Sequence, residues 1–172
     1  MDVYSGFKRN FKDQQIAKEV LKREGTPEAI TYFSEVCDKL TDYGYWFILS
    51  TLWVSYTGFS DINLWKRLFG SDRGKRKQCI MKPSEVKAFD QLPYKIRVYR
   101  AHRPDEDDWI AYTTDPSVTA RFAKERGVDK VSEYIVKKKD VLAYFLRRGE
   151  KEIIALDKTK VEFVREIDIV SV

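Results

Sequence analysis

Cysteine and histidine are nearly missing from this chain, with two of the first and one of the second among 172 residues. Cys37 and Cys79 fit neither a metal-ligand cluster nor a disulfide framework, so two reduced thiols are expected and no metal site. Long apolar runs are missing too. The longest, from Tyr43 to Tyr56, is broken by Gly44, Ser50, Thr51 and Ser55 and is too short and too polar to span a bilayer. No basic start followed by an apolar stretch and a small-residue cleavage site is present, so secretion is not expected. Repeats and low-complexity segments are absent. What remains is 43% hydrophobic and 34% charged, the composition of a soluble globular protein with a real core. Its net charge is +5, with much of the excess near Arg73-Gly74-Lys75-Arg76-Lys77. Such a segment either faces water as a loop tip or steers the chain toward nucleic acid, an acidic protein or an anionic dinucleotide.

Hydrophobic spacing divides the chain near residue 93. Up to position 92 the pattern is helical. Ile16, Val20 and Leu21 share one face of a helix over 14–23 that Gly25 ends. Thr26-Pro27-Glu28 opens a second helix, carrying Ile30, Phe33, Val36, Cys37 and Leu40. Positions 45–56 are apolar almost all round, as a buried helix is. Ser60-Asp61 caps a short helix with Leu64, Trp65, Leu68 and Phe69, and 83–92 reads as a last helix. From Lys95 the pattern alternates, giving strands at 96–100, 131–136, 141–145, 152–156 and 161–169. One helix interrupts them: Asp115 caps it, Pro116 opens it, Val118, Ala120 and Phe122 face the sheet, and Gly127 closes it. The fold class is therefore α+β, a helical region at 1–92 and a β-rich region at 93–172. No flexible linker separates them, so one compact body is expected, a helical layer packed on a small split sheet.

The chemistry concentrates in the second region. Arg100, in Val98-Tyr99-Arg100-Ala101-His102, can clamp a pyrophosphate from an apolar strand. A hydroxyl-bearing strand, Tyr112-Thr113-Thr114, leads into the capped helix. Glu150 and Glu152 stand two residues apart on a later strand and should project from one face. Diphosphate clamp, hydroxyl platform and carboxylate pair, in that order, are what a chain needs to hold a dinucleotide and break its glycosidic bond.

This ordered set resembles the mono-ADP-ribosyltransferase family, whose pattern is an arginine on a first strand, Ser-Thr-Ser on a second and Glu-x-Glu on a later one. The spacing from the hydroxyl triplet to Ala120 and Phe122 is similar as well. The resemblance covers about 95–156, and the whole chain, with its tryptophan-rich first half, resembles small transferase-type proteins of tailed bacteriophages. It implies transfer of ADP-ribose from NAD to arginine on a host protein in the host cytoplasm, with no metal. Glu152 would then face the developing ribosyl cation, Glu150 would orient or deprotonate the acceptor, and Arg100 would hold the diphosphate. Thr113 and Thr114 would shape the nicotinamide pocket, Phe122 would support it, and His102 would touch the adenosine side. Tyr112 stands where the family has serine. It can replace the serine's hydrogen bond, stack on nicotinamide, or belong to the core.

Structural readings stand beside these. Arg100 can pair with an acid, Glu150 and Glu152 can be edge charges, and the threonines can be ordinary strand residues. His102 can be a hydrogen-bonded structural histidine. At the level of function, the alternatives are NAD hydrolysis without a protein acceptor, and a non-catalytic binding protein that contacts nucleic acid or an acidic partner through its basic segment.

Overall fold

A computed structural model describes residues 1–56, 58 and 60–171. The chain folds as two compact units, Met1–Val86 and the part from Lys87 onward. Among the described residues there are seven α-helices and one six-stranded sheet, an α+β architecture.

Helices build the first unit. α1 (Phe11–Leu21) starts earlier than its apolar spacing implies, because the Asn10 side chain accepts the Asp13 N–H at 2.9 Å and caps it. α2 (Glu28–Val36) follows Pro27; the Thr26 hydroxyl, expected as its cap, donates instead to the Arg23 carbonyl at 2.6 Å. α3 (Asp42–Ser55) is capped by Thr41, whose hydroxyl accepts the Gly44 N–H at 3.1 Å. α4 (Ile62–Phe69) is capped by Asp61, and α5 (Arg76–Ile80) and α6 (Pro83–Asp90) complete the series. Trp46, Trp65, Phe33, Phe69 and Leu49 are fully buried, each worth about 1.5–3 kcal/mol or more on burial. The basic segment is not simply a loop tip. Arg73 donates to the carbonyls of Leu40 and Cys37, both at 2.9 Å, and lies over the Tyr45 ring. It thereby satisfies carbonyls left over near the end of α2, while Lys75, Arg76 and Lys77 remain exposed.

The second unit is built on a sheet. Its strands are β1 (Lys95–Arg100), β2 (Ala111–Thr113), β3 (Lys130–Lys137), β4 (Ala143–Phe145), β5 (Glu152–Ile154) and β6 (Val161–Asp168), in the order β4-β5-β2-β1-β3-β6. All neighbours are antiparallel. α7 (Pro116–Arg126) joins β2 to β3; Asp115 caps it and Gly127 ends it in the left-handed conformation, as the sequence signals. Its buried stripe is Val118, Thr119 and Ala123, with Ala120 and Phe122 only half-buried. The stripe is turned from the expected one because Ala123, small enough for close approach, packs against Ala101 and Val131 while Phe122 lies at the rim.

Candidate functional site

Strand register decides which side chains share a face. Thr113 lies opposite both Tyr99 and Glu152, and Tyr99 lies opposite Glu133. Tyr99, Thr113, Glu152 and Glu133 therefore project together. Arg100, one residue on, projects from the other face with Tyr134, opposite Val98, and Tyr112, opposite Ile153. The structure does not bring Arg100 and Glu152 onto a common face.

Around Arg100 the protein satisfies itself. Its Nε donates to Glu106 Oε2 at 3.0 Å, its Nη2 makes a very short contact with Glu106 Oε1, and its Nη1 donates to the Ala111 carbonyl at 2.8 Å. The acid-paired reading of Arg100 is what the geometry displays, with the partner on a loop and both side chains about nine-tenths buried. His102 links Glu106, 2.7 Å from Nδ1, to the Tyr134 hydroxyl, 2.6 Å from Nε2. Because a carboxylate only accepts, Nδ1 donates to Glu106, and at Nε2 either the ring or the phenol can be the donor. The Trp109 ring meets His102 edge-on, and its indole N–H donates to the Tyr112 hydroxyl at 2.8 Å. Tyr112 is buried against Tyr134, and burial holds its phenol well above the usual range. Burial would raise the Glu106 carboxyl, yet the hydrogen bonds from His102 and Arg100 outweigh it and bring its pKa down to about 2. Arg126, whose guanidinium donates to the Ala101 carbonyl, is pulled down to about 10 by burial and by the nearby Arg100 and Arg103 charges.

On the other side, Glu150 and Glu152 do not sit on one strand as expected. β5 begins at Glu152, and Glu150 belongs to the turn before it. Between them Lys151 has φ +46, and Gly149 has φ +69. A left-handed residue breaks the alternation that would have put both carboxylates on one face. Such a conformation in a non-glycine residue costs on the order of 1–3 kcal/mol and persists only where its surroundings impose it. Here they do. The Thr113 hydroxyl donates to the Glu150 carbonyl at 2.6 Å and accepts the Asp115 N–H at 3.1 Å. The Thr114 N–H donates to the Lys151 carbonyl at 3.1 Å, and Lys151 Nζ reaches Asp115 at 3.2 Å. The hydroxyl strand thus pins the turn to the cap of α7. The Glu150 carboxylate receives Arg148 Nη2 at 2.6 Å and has Arg121 Nη2 at 3.7 Å. Thr114 pairs with the Tyr144 hydroxyl at 3.2 Å. Phe122 has the Arg121 and Arg126 guanidinia over its ring, at 5.2 and 5.0 Å.

Glu106, Trp109, Tyr134, Arg121 and Arg148 were not singled out from the sequence. Only Glu106 left a signal, an acidic run Asp105-Glu106-Asp107-Asp108 close behind Arg100. No group of three or more His, Cys, Asp or Glu side chains among the described residues could hold a metal ion, and no described helix is long and apolar enough to cross a membrane. Compared with protein-family models, with curated proteins and with solved structures, the chain matches none.

Proposed function

We propose that this chain transfers ADP-ribose from NAD to an arginine side chain of a protein, releasing nicotinamide. The observation that carries the reading is the adjacency of β5, β2 and β1. Sequence order alone does not require the glutamate, hydroxyl and arginine strands to be neighbours, and Thr113 ties the first two together through Glu150. The same adjacency supports a sheet of ADP-ribosyltransferase type.

In this reading Glu152 sets its negative charge against the positive charge that develops on the ribose as nicotinamide leaves. Thr113, opposite Glu152 and bonded to the Glu150 carbonyl, takes the positioning role that the family gives to a serine; Tyr112 faces the other way and belongs to the core around Trp109 and Tyr134. Glu150 binds the acceptor guanidinium and removes its proton. It already receives two guanidinia of its own chain, the chemistry an arginine acceptor presents, and this favours transfer over hydrolysis. Arg100, on the opposite face from Glu152 and engaged by Glu106 and the Ala111 carbonyl, takes a structural part in this reading. His102, bonded to Glu106 and Tyr134, belongs to the same structural cluster. Thr114 and Phe122 line the nicotinamide side. The choice of a host protein in the host cytoplasm as acceptor rests on the resemblance to bacteriophage proteins.

Labelled NAD supplied with bacterial lysate tests the proposal. Label should pass to one or a few proteins through a bond that neutral hydroxylamine cleaves slowly, as an arginine adduct requires. Release of free ADP-ribose with no labelled protein would leave hydrolysis as the activity, and no consumption of NAD would refute both.

A further inference from the structure

We propose that the first unit binds single-stranded nucleic acid across the amino-terminal turn of α3. In that turn the Tyr43 ring stands between Tyr4 and Phe47, with centroids 6.3 and 5.4 Å away and planes within 17° and 14° of parallel. Phe7 leans on the same ring at 4.8 Å. Phe7 and Phe47 are 46% and 39% exposed, and Phe11, at the start of α1, is 73% exposed. A stacked aromatic row left at the surface calls for a partner with flat apolar faces. Cations adjoin these rings in the chain. Lys8 and Arg9 follow Phe7 and Lys12 follows Phe11, all three exposed.

A second basic group reaches the same turn from farther along the chain. Arg73 contacts Asp42 at 3.4 Å, and the Trp46 indole donates to the Gly74 carbonyl at 3.0 Å. These bonds hold the exposed Lys75, Arg76 and Lys77 beside α3. Of the acids nearby, Asp13 is engaged with Thr41, Asp42 with Arg73 and Asp2 with Ser84, while Asp38 and Asp72 are exposed. Rings that stack and cations that flank them match bases and phosphates respectively. A duplex hides its base faces, so the rings favour a single strand. An acidic peptide would meet the lysines but leave the rings unused. The surface lies apart from Arg100, Glu150 and Glu152 in the chain, and the inference does not depend on transfer chemistry.

The test is fluorescence anisotropy of the full chain, without NAD, on an unstructured oligonucleotide of about twelve bases and an abasic one of equal length. Binding should weaken with salt, and the abasic strand should bind at least about tenfold less tightly. Phe7→Ala and Phe47→Ala, both at partly exposed rings, should each weaken binding about five- to a hundredfold while thermal unfolding stays cooperative and falls only slightly. Lys8→Gln with Arg9→Gln should flatten the logarithmic salt slope by about 1.4. Absence of binding at low salt, equal binding of the abasic strand, or equal competition by an acidic peptide of matched charge would each overturn the proposal.

Discussion

Arg100 and Glu152 lie within one sheet yet in opposite circumstances. On the Arg100 face, side chains complete one another: a guanidinium, an imidazole and a carboxylate close into a buried cluster held by Tyr134 and Trp109. On the Glu152 face the backbone does the holding. A turn with a left-handed lysine is fixed by the Thr113 and Thr114 bonds, and its Glu150 carboxylate receives Arg148 and has Arg121 nearby. The Arg100 cluster completes itself within the chain, whereas the bonds at the turn fix the backbone that carries Glu150 and Glu152. In the proposed reading the Arg100 face holds the fold together and the Glu150–Glu152 turn carries the chemistry.

Removing charge from the fixed side should have the largest effect. Glu150→Gln should reduce transfer to a small guanidine about 10²–10⁴-fold while slow NAD hydrolysis persists, since water needs less help than a protonated guanidinium. Loss of both to the same extent would move Glu150 from acceptor binding to structure.

The Arg100 side should respond in stability alone. Arg100→Ala would leave Glu106 buried with His102 as its close partner, which should cost about 3–5 kcal/mol of stability in a denaturant titration. Glu106→Gln should lower the melting temperature and leave NAD binding unchanged. A Glu106→Gln variant with altered affinity for NAD would return Arg100 to the site.

The same cluster fixes a pH dependence. Glu106 titrates near 2 in the folded chain against an ordinary 4.5, so its folded value lies below its unfolded one. The contact then stabilises the fold fully above about pH 4.5 and is lost as pH falls toward 2, a change of about 3 kcal/mol. Chemical denaturation across that range should slope for the wild type and be flatter for Glu106→Gln. Smallest of all, Tyr112→Phe removes only the hydroxyl that accepts from Trp109. It should cost about 1 kcal/mol of stability and leave turnover within about twofold. A large fall in turnover at unchanged stability would return Tyr112 to the site.

Much of this was legible in the sequence, and the reasons differ by element. α7 was readable at both ends because Asp115, Pro116 and Gly127 each have a local backbone reason to be there. α3 was readable as buried because its apolar residues cover most of its circumference, though Phe47 turns out exposed. α5 was hidden by the charge of Arg76 and Lys77, which masks the buried Cys79 and Ile80. In the site, the residues were visible but their faces were not. The alternation assumed for Glu150 and Glu152 fails at one left-handed residue that carries no glycine to announce it. The partner of Arg100 sits in an irregular loop, where no period links it to the strand.

The central claim is that Glu152 stabilises a ribosyl cation formed from NAD. Its direct measurement is nicotinamide release by the purified chain, with and without a small guanidine acceptor, for the wild type and for Glu152→Gln at equal fold content. The wild type should release nicotinamide and form the guanidine adduct, and the variant should fall about 10²–10³-fold or more with NAD binding retained. A variant within threefold of the wild type, or a wild type that releases none, would contradict the account.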